Sequence, residues 1–289
     1  MSAKPRLSIV ITTLGRLDAL QKNFDSVAGQ LEPGDELVVV AQRNAAEVDQ
    51  LARAVVTKGT VISTTSERGA CLGRNTGVAA SSSGEVLLFP NDTTWFPAGS
   101  IAAIRTAAAE HRVLAYTVRD DAGAKFNFEP KISVITYRNA WEVIEPGMAM
   151  HRSDFEAIGG FNTDFGPGAP TPYQAGEGAD LLFRWRDRFP AAEARWQPDI
   201  MVGGVTDSAG LSGTERRRKL RAYGRGCGHI MSLHKNPLWF RTAYIVAGLA
   251  LPLLRRGQYG PLDGFPTALG RFEGVTGIMF GRGYDSVTR

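Results

Sequence analysis

Residues Gly69–Pro97 read GACLGRNTGVAASSSGEVLLFPNDTTWFP and contain the most informative pattern in the chain. The first part predicts a helix that begins near Leu72 and ends near Ser82. The apolar run Glu85–Phe89 then predicts a buried strand, which ends at Pro90 because proline cannot donate a hydrogen bond to a sheet. A helix followed directly by a short apolar strand is typical of α/β proteins.

The same alternation runs through the residues that precede this segment. Strands are predicted at Leu7–Thr12, Glu36–Ala41 and Gly59–Ser63, and helices at Asp18–Gln30 and Val48–Val56. This pattern predicts a mainly parallel sheet with helices on both faces, in which ligands bind at the carboxyl ends of the strands. Those ends are Thr12–Gly15, Ala41–Asn44 and Pro90–Thr93.

Three short motifs in this part of the chain resemble the nucleotide-sugar glycosyltransferases of family 2. They are Arg74-Asn75-Thr76-Gly77, Phe89-Pro90-Asn91-Asp92-Thr93 and Trp95-Phe96-Pro97. The resemblance, in order and spacing, extends roughly from Leu7 to Arg225. It implies a GT-A-like nucleotide-binding mixed α/β sheet flanked by helices, with a helical C-terminal extension. It also implies transfer of a sugar, with inversion, from a nucleotide-sugar donor to a lipid-linked or polysaccharide acceptor, as in bacterial polysaccharide synthesis.

The resemblance further implies a donor site at the strand ends. Ile11–Arg16 is similar to the segment that contacts the nucleotide base in that family. At the second strand end, where the family usually has an acidic pair, Gln42 can bond a uracil or guanine edge and Arg43 can meet a phosphate. The implied nucleotide-sugar-binding residues are Thr12, Thr13, Gly15, Gln42, Arg43, Arg74, Asn75, Asn91 and Asp92.

The metal site implied by the resemblance is altered in this chain. The family carries three successive acids that hold a divalent cation, which neutralises the diphosphate leaving group. Here the triplet is Asn91-Asp92-Thr93, so Asp92 is the candidate ligand for Mn²⁺ or Mg²⁺, and weak metal affinity is expected. Alternatively, Asp92 only caps the loop. The segment Pro198–Ser208, where the family often has a metal-contacting histidine, contains none, although it includes Asp207.

The catalytic acids are expected near the sequence Gly176-Glu177-Gly178-Ala179-Asp180-Leu181. Inverting transfer needs a carboxylate that takes the proton of the attacking hydroxyl group. The family's usual base follows the glutamate, a position that Gly178 occupies here. Glu177 is therefore the expected base, with Asp180 paired to Arg184 one helical turn further on. Alternatively, both acids only favour the start of a helix at Ala179–Arg188.

The chain is expected to divide into a glycosyltransferase domain, residues 1–212, and a basic and apolar helical extension, residues 213–289. The basic cluster of the extension is expected on a solvated face and comprises Arg216, Arg217, Arg218, Lys219, Arg221 and Arg225. The apolar stretch Leu238–Leu254, flanked by Lys235, Arg255 and Arg256, suits a helix at an anionic inner-leaflet surface. The alternative is a packing helix or a subunit contact. His229 and His234 are expected to be packing or surface histidines.

Charge and the N-terminal sequence narrow the classes of function that remain. A net charge of +4 over 289 residues gives no field that would attract nucleic acid. The N-terminal sequence MSAKPRLSIVITT lacks a signal peptide, so we expect a cytoplasmic protein that is peripheral at the inner membrane. Two rival functions remain. One is a catalytically degenerate binding or scaffold subunit, and the other is a nucleotidyltransferase, whose N-terminal Gly-rich loop with Arg or Lys is missing.

Overall fold

A computed structural model of the chain describes residues 4–121, 123–125, 134–204, 210–255 and 258–281. The strands of these residues are β1 (Leu7–Thr13), β2 (Glu36–Ala41), β3 (Thr60–Thr65), β4 (Val86–Leu88), β5 (Val113–Asp120), β6 (Gly123–Ala124), β7 (Val134–Ile135), β8 (Met148–His151) and β9 (Ala194–Gly203). Asp207 and Arg256, which the sequence singles out, lie outside the described residues.

The α-helices of the described residues are α1 (Leu17–Ala28), α2 (Ala45–Val55), α3 (Ala70–Ala80), α4 (Ser100–Ala108), α5 (Arg152–Ala157), α6 (Glu177–Arg188), α7 (Gly213–Leu233), α8 (Leu238–Leu249), α9 (Leu251–Leu254) and α10 (Gly264–Thr276). Short 3₁₀ helices lie at Ala140–Glu142, Glu145–Gly147 and Pro261–Asp263. None of the helices described is both long and apolar enough to cross a membrane.

The described residues form two units. The first unit comprises the described residues within 1–68, 72–161 and 181–207. The second unit comprises the described residues within 69–71, 162–180 and 208–289. The second unit therefore contains the predicted helical extension together with two earlier parts of the chain.

The first unit is built on a mixed sheet with the strand order β3-β2-β1-β4-β8-β5-β9-β7, in which β6 pairs with β5. β3, β2, β1 and β4 run parallel to one another. β8 runs antiparallel to both β4 and β5, which makes the sheet mixed, as the resemblance implies. Thr13 pairs with Ala41, so β1 and β2 end side by side.

Helices cover both faces of this sheet. Leu7, Ile9 and Ile11 of β1 belong to the main hydrophobic cluster. The same cluster contains side chains of α1, α2 and α4, namely Leu20, Phe24, Val27, Val48, Ala52, Ile101, Ile104 and Ala108. Val10 points to the opposite face, because side chains alternate along a strand. There it meets α3 so closely that a Cβ on Gly77 would lie 2.4 Å from Val10 Cγ1. Because β1 is buried on both faces, it is mainly apolar from Leu7 to Ile11, and the hydroxyl of its one polar residue there, Ser8, donates to Glu36.

The second unit is helical, and α10 packs against α7. Arg216 pairs with Asp263 at 2.8 Å, while Arg221 and Arg225 both pair with Glu273 of α10. Half of the basic cluster is thus held by acids, so the expected solvated face is wrong for these three arginines. Burial of the Glu273 carboxyl opposes its ionisation. Hydrogen bonds from Arg221, Arg225 and the Phe280 amide outweigh that effect and lower its pKa to about 2.

Candidate functional site

The carboxyl ends of three neighbouring strands meet at one edge of the sheet in the first unit. β1 lies between β2 and β4, and all three are parallel. An additional parallel bridge joins Thr12 to Asn91, so the loop after β4 continues along the end of β1. The structure therefore brings Thr12, Thr13, Asn91 and Asp92 together, with Gln42 beside them after β2.

Asp92 is the centre of this edge, and Arg16 holds both of its carboxylate oxygens. The Nε of Arg16 donates to Oδ2 at 3.1 Å, and its Nη2 donates to Oδ1 at 2.5 Å. The hydroxyl of Thr13 also donates to Oδ2, at 2.9 Å. The Asp92 side chain is only 5% exposed, whereas that of Arg16 is 59% exposed. A buried carboxylate of this kind requires a counter-charge, and Arg16 supplies it.

The loop between β1 and α1 has the shape that this pairing needs. Gly15 has a φ of +79°, a left-handed conformation that favours glycine. A Cβ on Gly15 would lie 2.8 Å from the carbonyl oxygen of Arg43. The amide of Gly15 donates to the Thr13 hydroxyl at 3.0 Å, which closes the turn before Arg16. Arg43 itself is exposed at the start of the neighbouring loop, next to Asn44.

Gln42 connects the end of β2 to the end of β3. Its side-chain amide donates to Ser66 Oγ at 3.1 Å and to the carbonyl oxygen of Glu67 at 2.8 Å. The hydroxyl of Thr12 is shielded from solvent, and no hydrogen-bond partner for it is found among the described residues. The Thr12 side chain lies against α3, where a Cβ on Gly73 would be 2.7 Å from this hydroxyl and 3.1 Å from Nε2 of Gln42.

Arg74 and Asn75 tie α3 to its surroundings within the first unit. The buried Arg74 guanidinium donates to Asn91 Oδ1 at 3.2 Å and lies 3.6 Å from Glu145 Oε2. The side chain of Asn75 makes two hydrogen bonds with the backbone of Phe161, as donor at 2.8 Å and as acceptor at 3.0 Å. Both side chains hold the framework of this unit, and their role in donor binding stays a prediction.

The residues of this edge do not fit a divalent cation. Hard cations need several oxygen ligands, usually with more than one carboxylate. Asp92 is the only acid of its triplet, and Arg16 and Thr13 already use both of its oxygens. Asn91 Oδ1 accepts from Arg74. Within the described residues, no group of three or more His, Cys, Asp or Glu side chains is placed to hold a metal.

The two expected catalytic acids lie at the start of α6 and belong to the second unit. Glu177 is the first residue of the helix and is buried, and a Cβ on Gly166 would lie 3.0 Å from its carboxyl carbon. Asp180 is almost fully buried and lies 2.9 Å from Nε2 of His234, the residue that ends α7. Asp180 is thus bound to His234. The guanidinium of Arg184, the partner predicted from the sequence, donates to the carbonyl oxygens of Ile158 and Gly160, and its pairing with Asp180 stays a prediction.

The two histidines of this unit differ in role. His229 stacks on Tyr173 with ring centroids 3.9 Å apart, which confirms it as a packing histidine. Burial lowers its pKa, although the charge of Asp164 opposes this. His234 bonds to the buried acid Asp180, a contact that sequence reasoning missed. Arg16 is the other functional candidate that sequence reasoning missed, although it stands at the end of the motif Ile11–Arg16.

Comparison with known proteins places the strand ends of the first unit within a known protein family. The chain matches the family model described as Glycosyl transferase family 2 over residues 8–163, more than half of its 289 residues. This match covers the strand ends of the first unit and stops before Glu177. No curated protein matches the chain in sequence.

Several solved structures share the fold. Residues 1–349 of S. aureus TarS in complex with UDP-GlcNAc are 14% identical, with 93% of this chain and 91% of that chain covered and a TM-score of 0.53. The mannosyltransferase PcManGT from Pyrobaculum calidifontis, in complex with GDP-Man and Mn²⁺, is 13% identical, with 96% and 88% covered and a TM-score of 0.57. GalNAc-T7 with UDP, GalNAc and Mn²⁺ is 14% identical, with 92% and 54% covered and a TM-score of 0.58. The likeness shows the GT-A fold.

Proposed function

Since this chain is a glycosyltransferase that belongs to glycosyl transferase family 2, we propose that it transfers a sugar from a nucleotide-sugar donor to a lipid-linked or polysaccharide acceptor. The observation that carries the proposal is the meeting of the β1, β2 and β4 ends around Asp92. Ligands of open α/β sheets bind at such an edge. The structurally similar TarS and PcManGT are complexed with UDP-GlcNAc and GDP-Man, which makes uridine and guanosine donors the first to test.

The proposed donor contacts follow the positions of the side chains. Gln42 and Thr12 meet the nucleotide base, because they lie at the ends of β2 and β1. The exposed Arg43, which precedes the turn at Asn44, meets a phosphate. Asp92 lies at the centre of the edge and keeps Arg16 and Thr13 in place. Arg74, Asn75, Asn91 and Gly15 shape the loops around it.

The proposed reaction is a single displacement with inversion. An acceptor hydroxyl group attacks the anomeric carbon while the bond from that carbon to the diphosphate oxygen breaks. The bonding electrons leave with the nucleoside diphosphate, and the hydroxyl proton passes to a carboxylate. We assign that carboxylate to Glu177 and give Asp180, with its partner His234, the task of fixing the start of α6.

A second proposed function is a binding subunit without transferase activity. This function is favoured by Asn91, Thr93 and Gly178, which stand where the family carries acids. The ion pair between Asp92 and Arg16 also favours it. Such a subunit still binds a nucleotide sugar but does not release the nucleoside diphosphate from it. Donor turnover in the presence of acceptor extracts therefore separates the two functions.

Donor binding is tested by calorimetry with UDP-GlcNAc, GDP-mannose and related nucleotide sugars, supported by thermal shift. At least one donor should bind below millimolar concentration and raise the melting temperature, because a ligand of the folded state stabilises it. Asp92→Ala should weaken that binding by about 10-fold or more, since it releases Arg16 from its position. The matched control is Asp49→Ala, which removes an exposed Asp–Arg pair from α2. Absence of binding by every donor contradicts the proposal.

The acceptor is proposed to be held at a membrane surface, and the second unit presents a face suited to it. The exposed large apolar side chains of α8 and α9 are Leu238, Trp239, Val246, Leu249, Leu253 and Leu254. The spacing of the four in α8, Leu238, Trp239, Val246 and Leu249, places them along one side of that helix. The other side of α8 packs on α10, where Arg271 Nη1 donates to the carbonyl oxygen of Tyr244 at 2.6 Å.

The proposed occupant of this face is an anionic lipid surface. Lys235 precedes the face and Arg255 follows it, and both are exposed. Trp239 is 71% exposed at the beginning of α8. An exposed apolar strip with a tryptophan and basic residues at its ends is typical of helices that lie in the headgroup region.

A further inference from the structure

The acid that resembles a metal ligand in this chain is already bound to an internal cation. Arg16 stands directly before α1, and its guanidinium forms a two-pronged ion pair with Asp92. Thr13 adds a third hydrogen bond to the same carboxylate. The pair lies at the edge where the strand ends meet, so a positive group occupies the place where a divalent cation is expected.

A metal ion on Asp92 would have to displace this guanidinium or stand beside it. Two cations around one buried carboxylate repel each other, and the neighbouring Asn91 and Thr93 supply no further negative charge. The pair of Arg16 and Asp92 is neutral, so a diphosphate that approaches it meets no net repulsion. The donor set therefore favours the guanidinium over an added ion.

Arg16 has the geometry to bind a diphosphate while it remains paired. Its Nε and Nη2 face Asp92, which leaves the N–H groups of Nη1 on the opposite side of the planar fork. The side chain is 59% exposed although its partner is buried. A planar guanidinium matches the oxygen spacing of phosphate groups, and its fixed position lowers the entropic cost of binding.

The beginning of α1 adds to the positive potential. The first N–H groups of this 12-residue helix have no acceptor within the helix, and Arg16 lies at that end. Anions bind readily at such positions. The helix end supports the guanidinium and is not needed to define the site.

We propose that Arg16, held in place by Asp92, binds the diphosphate of the donor in the role of a divalent cation, so that this enzyme binds its donor without metal. The inference rests on the proposed function, because it concerns the same donor site. Asp92 is then a positioning residue for Arg16. During transfer Arg16 stabilises the negative charge that develops on the departing nucleoside diphosphate.

The test is calorimetric titration of the full chain with UDP and with GDP, in EDTA and in MnCl₂. The better nucleotide should bind equally in both, within about twofold. Arg16→Ala and Arg16→Lys should each weaken binding about 10- to 100-fold, the range expected for a lost charged hydrogen bond. The matched control is Arg53→Ala, since Arg53 is 58% exposed and pairs with Asp49 on α2. That variant should bind as the unaltered protein does.

Arg16→Ala leaves Asp92 buried without its counter-charge and can fail to fold. The companion variant Arg16→Ala with Asp92→Asn removes both charges and should show the same loss of nucleotide binding. A third variant combines Arg16→Ala with Asn91→Asp and Thr93→Asp, and it should regain binding only with Mn²⁺.

Two failures can be told apart. Tighter binding by the unaltered protein in Mn²⁺ than in EDTA, or unchanged binding by the Arg16 variants, overturns the role of Arg16 and leaves the donor site intact. If neither UDP nor GDP binds under either condition, the proposed function fails and the inference fails with it.

Discussion

Glu177 and Asp180 begin the same helix, yet the structure gives them different surroundings. Asp180 is bound to His234 at 2.9 Å, whereas the carboxyl of Glu177 lies against Gly166. A carboxylate that holds a histidine in place is poorly suited to exchange protons in each turnover. The contact with His234 therefore argues against Asp180, and Glu177 stays the proposed catalytic base.

Replacement of the proposed catalytic base, Glu177, should abolish turnover without affecting donor binding. Glu177→Gln keeps the size of the side chain and removes its basicity, so kcat should fall by about 10²- to 10⁴-fold. The dissociation constant for the donor should stay within about twofold, because the charge at the strand ends is unchanged. Steady-state kinetics with calorimetry measures both quantities.

The control for this prediction is Asp180→Asn, which removes the negative charge next to His234. We expect a smaller loss of kcat together with a lower melting temperature, since a buried pair is broken. If Asp180→Asn removes turnover while Glu177→Gln retains it, Asp180 is the base and the assignment to Glu177 is wrong.

At the residue scale, the sequence identified the acids but not their partners. Asp92, Glu177 and Asp180 stand in recognisable motifs, and local spacing shows where they begin or end an element. Arg16 and Asp92 are 76 positions apart, and Asp180 and His234 are 54 positions apart. Helical periodicity predicts only neighbours within about one turn, so such contacts require knowledge of the topology.

At the scale of elements, the ion pairs of α7 change the meaning of its basic sequence. Arg216, Arg221 and Arg225 are held by Asp263 and Glu273, so they contribute little free charge to a lipid surface. Attraction to anionic lipid must then come from basic residues outside these pairs, such as Lys235 and Arg255, which lie at the ends of the apolar face of α8 and α9.

Binding to vesicles should depend on this apolar face. Trp239→Glu combined with Leu253→Glu places two charges on side chains that are about 70% exposed, so folding should be preserved. Each lost apolar insertion is worth about 1.5–3 kcal/mol, so the partition coefficient should fall by well over 10-fold. Co-sedimentation with vesicles that contain phosphatidylglycerol measures this change, and added salt should weaken binding by the unaltered protein.

The matched control for vesicle binding is Ala102→Glu, which adds a charge at an exposed position of α4 in the first unit. It should bind as the unaltered protein does. Point variants are preferable to truncation after Lys235, because truncation would remove Asp263 and Glu273 and leave the arginines of α7 without their acid partners. Equal vesicle binding by all variants refutes the proposal that this apolar face binds a membrane surface. Dissociation of a dimer by the double variant would identify the face as a subunit contact instead.

The sequence predicted the first four strands of the sheet but not the other five that the structure describes. Apolar runs located β1, β2 and β4 within one or two residues, because strands buried on both faces leave a clear signal. The edge strand β3, none of whose residues is buried, was located within two residues as well. β8 is four residues long and lies between β4 and β5, and a strand so short has no recognisable period. The apolar stretch Leu238–Leu254 is two helices in the structure, with Pro252 in the first turn of α9.

At the scale of the whole molecule, the two units contribute different parts of the proposed activity. The first carries the strand ends and the Arg16–Asp92 pair. The second carries Glu177, Asp180 and the apolar face. The family match covers residues 8–163 and therefore supports the donor site more directly than the catalytic acids. A net charge of +4 fits local attraction to a surface better than a general affinity for polyanions.

A crystal structure with UDP or GDP, whichever binds more tightly, grown with Mn²⁺ present, tests the central claim most directly. We predict the diphosphate within hydrogen-bond distance of Arg16, with the base at Thr12 and Gln42 and the ion pair to Asp92 retained. A nucleotide at another place in the molecule would contradict the donor site, and an Mn²⁺ ion that joins Asp92 to the diphosphate would contradict the role of Arg16.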